Sequence, residues 1–231
     1  MLVRRHHPGK AFPGRRTGSI PGRPILPDAG VSLLELILVL SLFGTLTAIA
    51  LALVLQSYKG VQLRLSTSTL FDSGTMALNQ MTKELRMAGY PSTKAFTSSA
   101  VASYPGLVAT PFITVTAYDV AFQSATQQDG IVEQIEYVIA PGSQNLYRNS
   151  TRKNLNGSLQ APPVQTLLLN NVQNRITGTP LFTWNTNPAD TQSFPLNVQS
   201  VYINMVLQST SNESGSPASV TLTATCPRIN F

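Results

Sequence analysis

Val31-Ser-Leu-Leu-Glu35-Leu-Ile-Leu-Val-Leu-Ser-Leu-Phe-Gly44, continued by Thr45-Leu-Thr-Ala-Ile-Ala50-Leu-Ala-Leu-Val-Leu55, is the stretch on which the fold turns. These 25 residues carry one charge, Glu35, and no proline. A bilayer core of roughly 30 Å needs about 20 apolar residues in a helix, and a helix satisfies its own backbone polar groups, as lipid demands. The stretch is therefore expected to span a membrane. A carboxylate near one end of such a helix is costly in lipid, so Glu35 calls for a cationic partner.

Working outward to the N-terminus, residues 1–30 hold Arg4, Arg5, Lys10, Arg15, Arg16 and Arg23 against Asp28 alone. That segment accounts for +5 of the chain's formal +6, and the pI near 9.7 is mostly its property. The basic balance thus gives no warrant for nucleic-acid binding by the rest of the chain. Positive charge ahead of a span predicts a cytoplasmic N-terminus and an exported C-terminal domain. His6 and His7 read as part of this basic segment and not as a metal site.

The order Gly30, Val31, Leu33, Glu35, Gly44 and Ala48-Ile49-Ala50 resembles the N-terminal signature of type IV prepilins and their pseudopilin relatives. The resemblance implies cleavage between Gly30 and Val31 by a prepilin peptidase, with methylation of the new terminal residue Val31. It also implies that Glu35 pairs with the terminal amine of a neighbouring subunit during assembly. Glycine suits the position before the cut, because a segment without a side chain approaches a catalytic site closely. The family usually begins its mature chain with phenylalanine followed by threonine, where this chain has Val31 and Ser32. Major pilins often place a helix-bending proline where this chain has Ala50 to Leu53.

Two rival readings of the N-terminus remain. A secretory signal peptide would use Ala48-Ile-Ala50 as its small-residue cleavage site, but the apolar run continues to Leu55 and the cut would discard Glu35. Arg15-Arg16 resembles a twin-arginine signal, yet no apolar core follows closely.

Beyond the span, Tyr58-Lys59-Gly60 places an aromatic and a cation where headgroups sit. Leu70, Ala77 or Leu78, Met81, Leu85 and Ala88 then recur at helical intervals, so residues 56–90 are expected to continue the helix with one apolar face. Gly89 offers a left-handed terminating position and Pro91 blocks continuation, so the helix is expected to end near Ala88. Gly74 is expected to loosen it midway, with Asp72 and Ser73 as alternative caps of a second helix. A continuous helix from 31 to 88 would reach about 87 Å. Lys83, Glu84 and Arg86 read as its solvated face, with a local ion pair of small value open to Glu84. The run Leu85-Arg86-Met87-Ala88-Gly89-Tyr90 resembles the helix end of PilW-type minor pilins.

Residues 91–231 are expected to form one β-rich head. Strands are predicted over Phe112–Tyr118, over Ile131–Ile139 and, after the turn at Pro141-Gly142, over Gln144–Arg148. Two more are predicted where Val201, Ile203, Met205 and Leu207 alternate with polar residues, and where Val220, Leu222, Ala224 and Cys226 alternate with threonines. Polar loops are expected at 149–162, 185–195 and 208–217. Trp184 and Phe182 read as core packing in a strand, and nothing distinguishes Tyr104 or Tyr118 from packing residues. The predicted class is thus α+β: a long N-terminal helix, transmembrane in its first half and amphipathic in its second, packed on an antiparallel pilin-like head.

Catalysis finds little material. No histidine follows residue 7, which removes imidazole base chemistry and His-rich metal sites from the head. Asp72, Asp119, Asp190 and Glu213 are scattered, and Asp129, Glu133 and Glu136 lack the regular oxygen-ligand spacing of a calcium loop. Cys226 is the single cysteine, so no intrachain disulfide forms, and a buried small hydrophobe is its simplest role. No enzyme activity, cofactor, metal or nucleic-acid partner is predicted. The expected partners are prepilin peptidase, other pilin subunits through the N-terminal helix, and the inner membrane. By resemblance the chain is a minor pilin of a type IV pilus. Alternatives are a J-type pseudopilin of type II secretion, a DNA-uptake pseudopilin, and an unprocessed membrane-anchored periplasmic binding protein. An anchored hydrolase is a weaker one.

Overall fold

The computed structural model describes residues 32–125, 129–209 and 217–228. Gly30 and Val31, the predicted processing and methylation positions, lie outside the described residues, as do His6, His7 and Glu213. The chain divides into two compact units, residues 1–51 and 52–231, and one helix, α1 (Leu33–Arg86, 54 residues), runs through the division. All described residues of the first unit are exposed.

In the second unit, α1 buries the face that its periodicity marks: Gly74, Ala77, Met81 and Leu85, with Ala88 just beyond. The helix ends as expected. Met87 and Ala88 donate to the carbonyls of Glu84 and Leu85 in a tightened last turn, and Gly89 takes φ +84°, a left-handed conformation costly for any residue with a Cβ. The Gly89 N–H then donates to Gln123 O at 2.8 Å, passing the chain directly onto a sheet.

Gly74 corrects the sequence reading. The helix neither breaks nor recaps there; instead the glycine is buried, and a Cβ in its place would stand 2.5 Å from Leu207 Cδ1 and Leu222 Cδ1. It is a point of close approach between helix and sheet. The period-3.6 pattern gives no hint of this, because glycine carries no hydrophobic signal.

The strands among the described residues form two antiparallel sheets, with short helices at Ser98–Ser103 and Asn174–Thr177 in the connections. The first has the order β1 (Thr114–Val115), β2 (Asp119–Ser124), β3 (Glu133–Ile139), β4 (Leu146–Arg152) and β5 (Val164–Leu169). The second has the order β6 (Phe182–Thr186), β7 (Val198–Gln208) and β8 (Ser219–Pro227). The coarse α+β class therefore holds. β3 follows the predicted alternation, with Ile135, Tyr137 and Ile139 buried, and pairs with β4 through the turn at Gly142. In β8, Leu222 and Cys226 are buried while Thr221, Thr223 and Thr225 are exposed.

Other strand expectations were too long or missing. The strand expected over Phe112–Tyr118 shrinks to two residues, and β2 and β5 carry no clean alternation in sequence: Val120 to Ser124 are buried continuously, and Val164 to Leu167 are all exposed. Residues 149–152, expected in a loop, belong to β4. Trp184 is not core packing. It is 36% exposed and tilts against Phe194, itself 49% exposed, with ring centroids 5.6 Å apart, whereas Phe182 two residues earlier is fully buried.

The core lies where α1 meets both sheets. Met81 and Leu85 join Phe122, Ile135 and Tyr137 of the first sheet and Val201, Ile203 and Met205 of the second in one buried cluster. Phe122 stacks on Tyr137 and meets Phe112 edge-on, with ring centroids 6.4 Å apart in each pair. Cys226 is buried in the same cluster, and that burial pushes its thiol pKa up against the opposing influence of Thr82 and Arg86.

On the first sheet, Asp119 gives a measurable consequence. Burial, then the charge of Glu136, push its carboxyl up to about 6, against the lowering influence of Arg175, and its Oδ1 is buried without a hydrogen-bond partner. A raised carboxyl binds its proton more tightly in the folded state. Its contribution to stability is therefore fully present below the unfolded value of 3.8 and lost as pH rises through about 6. Asp119→Asn is expected to lose this dependence, so that its melting temperature rises relative to the parent between pH 4 and pH 7. A constant offset across that range would contradict the burial argument.

Candidate assembly site

The apolar segment is the part of the chain with unfinished business. Over an 18-residue window, α1 reaches a mean hydropathy of 2.5 with none of that window buried, so by length and composition it can cross a membrane. Leu33, Leu34 and Phe43 are 68–76% exposed. Burying one such side chain is worth about 1.5–3 kcal/mol, so an uncovered run of this length is suited to lipid or to packing against other apolar surface.

The polar groups inside the run are arranged for that demand. Ser41, Thr45 and Thr47 donate their hydroxyls to the carbonyls of Leu38, Leu42 and Phe43, each at 2.8 Å. Bonded back onto the helix, they cost little in hydrocarbon. At Gly44 a Cβ would meet nothing within 4 Å, so this glycine serves no contact within the described chain.

Glu35 is the exception. It sits in the first turn of α1, where the positive end of the helix dipole favours a carboxylate, and it is exposed. Among the described residues no cation reaches it, since each ion pair there involves Glu84, Asp129 or Glu133. At Tyr58-Lys59-Gly60 the helix continues without interruption, and Gln62 Nε2 donates to the Tyr58 hydroxyl at 2.9 Å.

Further along, Glu84 departs from its expected place on the solvated face. Lys83 and Arg86 are exposed, but the Glu84 side chain is only 12% exposed and accepts from Arg148 Nε at 3.0 Å and from the Tyr137 hydroxyl at 2.6 Å. Arg148 is 14% exposed. Burial works against its charge, but the hydrogen bond and charge of Glu84 outweigh that and move its pKa up. Burial, then Glu84, drive the Tyr137 hydroxyl far above its usual range, so it stays a donor. This triad fastens α1 to β3 and β4. No local signal marks it: Glu84, Tyr137 and Arg148 meet only through tertiary structure.

Of the acidic residues at 129, 133 and 136, the first two meet at one guanidinium and the third lies apart from it. Arg152 stands 3.4 Å from Asp129 and 3.6 Å from Glu133, while Glu136 accepts from Asn149 at 2.7 Å. Lys153, its pKa lowered by burial, donates to Val108 O at 2.8 Å and Gln123 Oε1 at 3.0 Å, which ties the segment before β1 to β2. Tyr118 lies under Arg175, 4.5 Å from its ring centroid, and Tyr104 is exposed.

No protein-family model, no curated protein and no solved structure matches the chain.

Proposed function

We propose that this chain is a minor pilin of a type IV pilus, an assembly subunit processed by prepilin peptidase. One observation carries the reading: a single unbroken helix, α1, is wholly exposed, apolar and acidic at its first turn in one half, and forms part of the core of a β-rich head in the other. The first half is built to exchange lipid for similar helices, and the second to carry a folded head. The minor-pilin assignment within this class rests on the resemblance of Leu85 to Tyr90.

In this reading residues 1–30 stay cytoplasmic, the apolar half spans the inner membrane, and the head is periplasmic until the subunit joins a pilus. Cleavage between Gly30 and Val31 creates an amine next to the hydrocarbon. Glu35 attracts the corresponding amine of a neighbouring subunit; low dielectric strengthens the attraction, and desolvation penalises either charge left alone. The pair acts as a register device between helices.

Intact-mass measurement on protein purified from membranes tests the proposal. A chain beginning at methylated Val31 is the expected result. An intact leader would favour the anchored binding protein, and a start after Ala50 would favour a signal peptide; either would overturn the pilin reading.

A further inference from the structure

We infer that Asn156 is a self-modification site, where the chain's own backbone nitrogen at Gly157 displaces the side-chain amide to give a succinimide and then aspartate or isoaspartate. Asn156-Gly157 is the one Asn-Gly pair in the sequence, and it lies in the connection between β4 and β5. Residues 155, 156 and 158–160 are exposed there, so water reaches the reacting groups.

The turn carries the reacting atoms towards each other. Asn156 Oδ1 accepts from the Ser158 N–H at 3.0 Å, which folds the side chain forward over the Gly157 peptide unit. The amide carbon is thereby held near the Gly157 nitrogen, and closing a ring within one chain needs no encounter with a second molecule. Glycine leaves that nitrogen unscreened, because no side chain stands beside it. The Gly157 N–H donates to Asn154 O at 2.9 Å, and this single turn bond must open first.

Ser158 also polarises the group under attack. Its hydroxyl donates to Asn156 Oδ1 at 2.7 Å, so two donors converge on the oxygen where negative charge develops. A relay fixes the direction of that hydroxyl. Gln160 Nε2 donates to Asn154 Oδ1 and Asn154 Nδ2 donates to Ser158 Oγ, each at 2.9 Å, which leaves the Ser158 proton for Asn156. Asn156 Nδ2, the leaving nitrogen, has no hydrogen-bond partner among the described residues. Asn149-Ser150 makes the contrast: Asn149 Nδ2 donates to Glu136 at 2.7 Å and its Oδ1 accepts from Gln165 at 3.1 Å, so neighbouring strands hold both amide atoms.

The step balances without an oxidant or reductant. The bond from the Gly157 nitrogen to Asn156 Cγ forms, the Cγ–Nδ2 bond breaks, and the Gly157 proton passes through water to the departing ammonia. Water then opens the ring at either carbonyl, leaving a new carboxylate and, in the isoaspartyl product, a main chain longer by one methylene. That lengthening falls where the loop is seated on the turn at Pro105–Leu107: the Gly106 N–H donates to Leu155 O at 2.9 Å, and Gly106 has no room for a Cβ against Asn154 O.

Peptide mapping by mass spectrometry, on the full chain held in detergent micelles at mildly alkaline pH, tests the inference. A gain of about 1 Da at residue 156 with isoaspartate in the product is expected, exceeding any gain at Asn149 by about ten-fold or more. Ser158→Ala should form the product about ten-fold more slowly and Ser158→Thr, which keeps the hydroxyl, at the parent rate. Asn156→Gln should form none, because its longer side chain closes a less favourable ring. No gain at residue 156, a comparable gain at Asn149, or a Ser158→Ala rate equal to or above the parent's would overturn the inference. The comparison with Asn149 uses the parent chain alone, so it stands even if a Ser158 variant fails to fold.

Discussion

Glu84→Ala is expected to destabilise the head by about 3–5 kcal/mol, because it leaves the Arg148 guanidinium buried without its counter-ion. Both side chains are less than 15% exposed, so water does not readily replace the carboxylate. Tyr137 loses its acceptor at the same time, and its hydroxyl sits in a fully buried residue. Urea unfolding followed through the single tryptophan, Trp184, would measure the loss. Removing both charges, Glu84→Ala with Arg148→Ala, should cost clearly less than the sum of the two single changes, since neither ion is then stranded. Additive costs would mean that the pair is not coupled as its geometry requires.

Under the proposed pilin function, Glu35→Ala is expected to act in the opposite way, leaving the fold and membrane insertion intact while reducing incorporation into filaments. Glu35 makes no ion pair among the described residues, so stability of the head should not change. Removing a carboxylate from an apolar helix should make insertion slightly more favourable. Glu35→Gln separates charge from shape: it should fail to incorporate as completely as alanine if attraction to an amine is the device. Quantifying the chain in sheared filaments and in carbonate-washed membranes gives both readouts. Parent-like incorporation of either variant would remove Glu35 from the assembly role.

The two glutamates show how far the sequence could be read. Glu35 stands out because its neighbours along the chain are all apolar, and a charge in such a run is informative without any fold. Glu84 lies between Lys83 and Arg86 on an amphipathic helix, where the local pattern says solvent; its partners are 53 and 64 residues away. The same contrast separates the strands. β3, β7 and β8 bury one face, so alternation reveals them, whereas β2 is buried continuously and β5 is exposed over most of its length, and neither has a period to detect. Trp184 was misplaced because hydrophobicity ranks it with the core, while its position on the outer strand of a three-stranded sheet leaves it partly open.

Composition and periodicity along the chain sufficed for the membrane-competent helix, its buried stripe, its end at Gly89 and the mixed helix-and-sheet class, because each depends on residues within a turn or two of one another. The packing of the head depended on contacts between distant residues: the division of the eight described strands into two sheets, the demand for a glycine at 74 and the anchoring triad at Glu84. Those features reflect space left by facing side chains and the direction of backbone hydrogen bonds, quantities that exist only once α1 and both sheets are packed together.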